Sequence, residues 1–169
     1  MPTILRTLIL AGFAVAVAAA LPSTGSFAAG SSSGGSSSSS SSSTSSSSGG
    51  NDYNNAVTMI DDKDYGGAIP LLKKVVAMEP TNADALNYLG YAHRMLGKQT
   101  EALSYYEQAL TLQPKHVGAN EYLGELYLEM KQLPKAEERL AVLEQACGDC
   151  KEYVELKEKI DDYKAKQQS

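Results

Sequence analysis

The sequence predicts an all-α fold in which pairs of helices stack into a solenoid. Three alanines, Ala68, Ala102 and Ala136, recur at a constant interval, and each occupies the same place in a segment of helical periodicity. This interval, hereafter the repeat period, is typical of stacked supersecondary units of about 34 residues. Apolar residues recur at helical spacing through residues 51–169, and no strand pattern is found there.

Residues 1–28 have the features of a secretory signal peptide. Arg6 gives a short positive start, an apolar run extends from Leu8 to Leu21, and residues 26–28 offer the small side chains that a signal peptidase reads. A membrane anchor, the alternative, needs about 20 apolar residues, and the run from Leu8 to Leu21 is shorter than that. We therefore expect cleavage near Ala28 and no transmembrane anchor afterwards. The expected location is the periplasm, with full secretion as the alternative.

Residues 29–50 are expected to form a disordered linker. From residue 30 onward they are only glycine, serine and one threonine, so the segment has no side chains that could build a core. Such a segment would serve as a flexible tether, and the alternative is a neutral expansion with no role. The rest of the chain, residues 51–169, has the size of an ordinary single domain.

Charge and motifs exclude several classes of function. The formal net charge is −5, and the chain has no cluster of lysine or arginine, which argues against nucleic acid or an anionic membrane as the partner. The sequence shows no Ser-His-Asp set, no phosphate-binding loop and no metal-ligand cluster. We therefore expect a protein that is not an enzyme and has no cofactor and no metal site.

The first unit, residues 51–80, is predicted to contain two helices. The opening helix carries an apolar stripe from Tyr53 to Ile60. Tyr65-Gly66-Gly67 is expected to make the turn, and the second helix begins its apolar stripe at Ala68.

The second unit, residues 81–114, shows the clearest helix boundaries. Thr81 or Asn82 is expected to cap its first helix, because a short polar side chain can accept a bond from a free N–H group there. Gly97 is expected to end that helix with a positive φ. The second helix presents apolar residues from Ala102 onward.

The third unit, residues 115–148, is followed by a predicted capping helix over residues 149–166. Pro134 is expected near the first turn of the unit's second helix, where its missing N–H group costs nothing. Asp149 is expected to cap the last helix. That helix has one apolar stripe among charged residues, as a unit covering the end of a solenoid requires. The total is seven helices, three pairs and a cap.

The middle unit carries a set of small and apolar residues at fixed places, and part of the set recurs in the third unit. These residues are Leu89-Gly90, Gly97, Ala102, Tyr106, Ala109 and Pro114, with Leu123-Gly124 in the third unit. With them the middle unit closely resembles the tetratricopeptide repeat family, and the first unit departs from the pattern, since Asn55-Ala56 replaces its Leu-Gly pair. The resemblance implies a right-handed α-solenoid that works as an adaptor or scaffold and binds a protein or peptide.

The resemblance also implies that the first helix of each pair lines a groove for the partner. The family's clamp for C-terminal carboxylates uses lysine, asparagine and arginine, and its positions here hold Tyr53, Val57, Tyr88, Gly118 and Tyr122. That clamp is therefore absent. The expected groove residues are Tyr53, Val57, Asn87, Tyr91, Arg94, Met95, Glu121, Glu125 and Glu129.

Three groove residues, Glu121, Glu125 and Glu129, are spaced four apart on one predicted helix face. A basic or amine-bearing partner would fit this acidic row, which Arg94 is expected to neutralise in part. The alternative is a solvated helix face. The expected partner is therefore a protein or peptide, with basic character as the finer hypothesis.

Cys147 and Cys150 are the only cysteines. In an oxidising compartment we expect them to form a disulfide that fixes the angle between the third pair and the capping helix. A thiol–disulfide redox role is one alternative, although such motifs belong in a strand–helix setting. For the protein as a whole, a role in envelope assembly or as a spacer is the other alternative to binding a partner.

His93 is expected to be packed rather than catalytic.

Overall fold

The structure, a computed structural model, describes residues 48–168, and this part of the chain contains seven α-helices and no strand. The all-α prediction is confirmed for it. The expected signal peptide, residues 1–28, and most of the expected linker, residues 29–50, lie outside the described residues. The first helix begins at Ser48, slightly before the expected start of the domain. The helices are α1 (Ser48–Asp61), α2 (Tyr65–Met78), α3 (Ala83–Met95), α4 (Gln99–Leu112), α5 (Val117–Glu129), α6 (Leu133–Cys147) and α7 (Lys151–Gln167).

The helices form three hairpins, α1–α2, α3–α4 and α5–α6, and α7 packs against both helices of the third. Helices α3, α5 and α7 begin at Ala83, Val117 and Lys151, each one repeat period after the one before. The capping helix, which runs over Lys151–Gln167 rather than 149–166, therefore occupies the place of a fourth first helix. The first helices contact one another in turn, α1 with α3, α3 with α5 and α5 with α7. Within residues 48–168, no helix is both long and apolar enough to span a bilayer.

Small residues let neighbouring helices approach closely. The three alanines that mark the repeat period are fully buried. A Cβ added at Gly90 would lie 2.6 Å from the ring of Tyr106, and one added at Gly124 would lie 2.5 Å from Leu156 of α7. Ala56 is also fully buried, so the first unit keeps a small residue in place of glycine.

A residue of left-handed conformation lies just beyond the first helix of each pair. Lys63, Gly97 and Lys131 have φ values of 63°, 73° and 58°, so the expectation for Gly97 is confirmed. The turn expected at residues 65–67 is wrong, because these residues form the first turn of α2. Gly67 instead makes room for the side chain of Asp64, which accepts a hydrogen bond from the N–H of Gly67 at 2.9 Å. A lysine takes the left-handed position because the two packed helices dictate where the chain reverses.

The starts of α3 and α6 are as the sequence predicts, and the start of α7 is not. Asn82 caps α3 with its side chain, and Pro134 lies in the first turn of α6. Asp149 does not cap α7. The N-cap is Cys150, whose side chain makes no capping bond, and Asp149 belongs to the turn before it.

Candidate functional site

One cavity brings together six of the nine residues expected to line the groove. It has a volume of about 470 Å³ and lies between α3, α5 and α7. The other three expected residues lie outside it, with Tyr53 and Val57 half-buried on α1 and Asn87 buried on α3. The residues that line the cavity are Tyr91, Arg94, Met95, Glu121, Tyr122, Glu125, Glu129, Glu155 and Lys159.

The structure adds Tyr122, Glu155 and Lys159 to the expected groove. Glu155 and Lys159 lie on α7, one repeat period after Glu121 and Glu125. The repeat period itself carried this signal, because it extends into α7. The prediction of the groove does not include α7, because α7 has no Leu-Gly pair and its pattern indicates only a cap.

Tyrosines run along the groove from α1 to α5. The ring centroids of Tyr53 and Tyr88 are 6.0 Å apart, those of Tyr65 and Tyr91 are 5.9 Å apart, and those of Tyr91 and Tyr122 are 4.8 Å apart. Burial raises the pKa of Tyr53 to about 12, and it also raises the pKa of Tyr88, Tyr91 and Tyr122. These phenols therefore stay protonated at neutral pH and offer both aromatic surface and O–H donors.

Arg94 joins α3 to α5 inside the cavity. Its guanidinium contacts Glu125 at 2.6 Å and Glu129 at 2.8 Å, and it lies over the rings of Tyr91 and Tyr122. Burial alone lowers the pKa of Arg94, but the neighbouring phenol and carboxylate groups more than offset this and hold it above its ordinary value. Arg94 is therefore a permanently charged group held in place by its neighbours.

The three glutamates of α5 have different surroundings. Glu121 and Glu125 are only 3% and 6% exposed, whereas Glu129 is exposed at the rim. Glu125 contacts both Arg94 and Lys159. A solvated helix face therefore describes Glu129 alone, and Arg94 contacts the row as expected.

Glu121 faces a second carboxyl group, that of Glu155 on α7. The two groups lie within hydrogen-bond reach of each other. Burial, this hydrogen bond and the charge of Glu125 raise the pKa of Glu121 to about 8, whereas the bond to Glu121 lowers the pKa of Glu155. The two groups therefore share one proton at neutral pH, with Glu121 as the protonated partner.

His93 is a packed residue, as expected. It is buried on α3, and the centroid of its ring lies 5.2 Å from that of Tyr105. Burial lowers its pKa, and the charges of Lys73 and Lys98 lower it further. His93 is therefore a neutral part of the α3–α4 packing at physiological pH.

The cysteines lie at the turn between α6 and α7. The Cα atoms of Cys147 and Cys150 are 5.5 Å apart, which is within the range that a disulfide spans. No strand precedes the motif in the described part of the chain, so the setting of thioredoxin-like motifs is missing. Among residues 48–168, no group of three or more His, Cys, Asp or Glu side chains is placed to hold a metal ion.

Comparison with known sequences agrees with the repeat period. Two family models, both described as Tetratricopeptide repeat, match residues 60–116 and 96–160 and together cover residues 60–160. The uncharacterized protein ycf37 of Pyropia yezoensis is 40% identical over 55 residues, which are 32% of this chain and 31% of that protein. The matched segment thus spans less than a third of that relative's length.

Comparison with solved structures shows the same fold at low sequence identity. The type III secretion translocator chaperone SycD of Yersinia enterocolitica, in complex with a peptide of the translocator YopD, superposes with a TM-score of 0.60 at 17% identity, covering 68% of this chain and 87% of that one. The second tetratricopeptide repeat domain of human RPAP3, in complex with an HSP70 peptide, gives 0.61 at 18% identity, covering 68% and 95%. These likenesses confirm the predicted fold of tetratricopeptide-like helix pairs.

Proposed function

The chain belongs to the tetratricopeptide repeat family, and we propose that its groove binds a peptide segment of another protein without chemical conversion. The observation that carries the proposal is the cavity between α3, α5 and α7, where tyrosine rings, an exposed methionine and carboxylates line one space. Aromatic side chains with polar ends are frequent anchors of protein interfaces. The peptides bound by SycD and RPAP3, which share the fold, support a protein-interaction module.

The charge of the cavity favours a partner that contains lysine or arginine. Four carboxyl groups line it against two cations, and both of these cations already contact Glu125. A nucleic acid would be repelled, because its phosphates carry the same charge as the carboxylates. The four acidic residues are Glu121, Glu125, Glu129 and Glu155, and the two cations are Arg94 and Lys159.

The peptide is held along its length rather than by its C-terminal carboxylate. The five clamp positions of the family hold no cation here, since they are occupied by tyrosine, valine or glycine. A free carboxylate would also meet the acidic excess of the cavity. The proposed ligand is therefore an internal segment of the partner.

A methionine and the leucine next to it allow a matched test of whether the cavity binds the peptide. Met95 lines the cavity and Leu96 does not, and both are 44% exposed. Peptides selected by panning against the immobilised chain provide the ligands. Met95→Arg should lower their affinity by about tenfold, because a new cation enters a site for basic groups, whereas Leu96→Arg should change it by less than about twofold. Equal effects of the two variants, measured by titration calorimetry, would contradict the assignment of peptide binding to this groove.

We also propose that the mature protein is periplasmic, with secretion as the alternative, and that Cys147 and Cys150 are bonded. The leader pattern of residues 1–28 and the 5.5 Å separation of the two Cα atoms support this. Mass spectrometry of protein from its native cells should show a chain starting at Ala29, with thiols that react with an alkylating reagent only after reduction. An intact leader, or two thiols that react without reduction, would contradict the proposal.

A further inference from the structure

Glu121 and Glu155 form a pair of carboxyl groups that no cation of the described chain bridges. Both line the cavity, and Glu121 is nearly fully buried. The nearest cations are engaged beside the pair, since Arg94 and Lys159 both contact Glu125. Lys151 reaches only Glu155, at 3.5 Å and from an exposed position. Because a buried carboxylate without a counter-charge is unfavourable, the free protein keeps a proton between the two groups.

The aromatic wall of the cavity also suits a cation. The rings of Tyr91 and Tyr122 lie 4.8 Å apart, and the chain's own Arg94 is 5.5 Å and 5.8 Å from their centroids. Ammonium and guanidinium groups are attracted to aromatic faces, and more so where water is excluded. Carboxyl groups, one of them nearly fully buried, and aromatic rings thus line one space and suit a ligand with cationic N–H groups.

We propose that this cavity is a subsite for one lysine or arginine side chain of the bound peptide, and that its cationic group displaces the proton held between Glu121 and Glu155. The proposal rests on the peptide-binding function proposed above, to which it adds the residue class that is bound and a proton that leaves. The proton passes to solvent, so one positive charge replaces another and the cavity keeps its balance of charge.

Binding should therefore depend on pH through Glu121. At pH values below its pKa of about 8, the ligand must release a proton, so affinity increases as pH rises. The neighbouring tyrosines and Arg94 have raised pKa values and keep their protons over this range. The titratable and charged groups that face Glu121 are Glu125 and Tyr122 on α5, Tyr91 and Arg94 on α3, and Glu155 and Lys159 on α7, with Tyr106 of α4 and Arg139 of α6 beyond them.

The test uses peptides selected from a random library against the immobilised full chain at pH 8.5. We expect lysine or arginine at one fixed position of the selected peptides. Titration calorimetry in two buffers of different ionisation enthalpy then counts the protons released. We expect release of up to about one proton per peptide at pH 7, and an affinity that rises by up to about tenfold per pH unit below pH 8.

Two variants isolate the shared proton. Glu121→Gln should abolish proton release, Glu155→Gln should only reduce it, and each should lower affinity at pH 8.5 by about tenfold or more, because a charge-assisted contact is lost. Glu155 is half-buried, so its variant keeps the test decisive if Glu121→Gln alters folding. Glu107→Gln, at an exposed position of α4, is the matched control and should leave proton release unchanged.

The possible outcomes separate this proposal from the proposed function. Selected peptides that contact the cavity residues by NMR, but have no basic preference and release no proton, would overturn the subsite and leave the peptide-binding function standing. Selected peptides that never contact the cavity residues would overturn both. Proton release that persists in both glutamine variants would also overturn the subsite.

Discussion

At Glu121 the fold sets the protonation state of a single carboxyl group. Its pKa rises from 4.5 to about 8, mainly through burial. The stability that follows from this shift is complete below about pH 4.5 and is lost as the pH rises through 8, because the unfolded chain releases the proton more readily. The pKa of Glu155 is lowered, so its contribution changes only at more acidic pH.

Glu121→Gln should remove this pH dependence, because glutamine keeps the shape of a protonated carboxyl group and does not titrate. At pH 8.5 we expect the variant's free energy of unfolding to exceed that of the wild type by at least about 1 kcal/mol, with a smaller difference at pH 5. Urea denaturation at a series of pH values measures this. Glu138→Gln, at an exposed position of α6, should follow the wild type. Parallel pH profiles for Glu121→Gln and the wild type would contradict the buried-carboxyl assignment.

The position of Glu121 could be predicted from the sequence, but its protonation could not. The repeat period assigns a residue to the groove because equivalent positions of stacked units face the same way. The pKa depends on how closely α7 covers α5 and on which side chain it brings there. Glu155 stands opposite Glu121 because the repeat period continues into α7, which carries a carboxyl group at that position.

At the scale of the element, helix-pair packing rests on small residues at close approaches. The ring of Tyr106 is fully buried and lies where a side chain at Gly90 would begin. Gly90→Ala should therefore lower the free energy of unfolding by about 1–3 kcal/mol, as overpacking of a core does. Chemical denaturation measures the change.

Gly66→Ala is the opposing control for this prediction. Gly66 lies in the first turn of α2, and the nearest atom to an added Cβ is 4.0 Å away. Alanine favours helix over glycine, so this variant should raise stability by up to about 1 kcal/mol. Stability losses of similar size in both variants would show that the close approach at Gly90 is not the cause.

Local residue composition does not predict correctly where the chain reverses between the helices of the first pair. Two adjacent glycines, Gly66 and Gly67, predicted a turn, whereas the chain reverses at Lys63. Helix packing fixes the reversal at the same point of each unit, so residue preference at that point is overridden. Only at Gly97 do composition and packing agree, and only there was the turn predicted correctly.

At the scale of the molecule, the repeat period determines the fold and the departures from it form the site. Stacked pairs of helices follow from the repeated apolar and small positions, which is why the all-α solenoid was predictable. The departures include the acidic residues of α5 and the helix α7, which closes the groove. Their combined chemistry depends on contacts between units and becomes visible only when the units are packed together.

The central claim is that the groove between α3, α5 and α7 holds a peptide. Chemical-shift mapping of the ¹⁵N-labelled chain with a panned peptide tests it most directly. We expect perturbed amides along the first helices, including those of Tyr91, Glu121, Tyr122 and Glu155. Perturbations confined to α2, α4 and α6, which contribute no residue to the cavity in the described structure, would contradict the account.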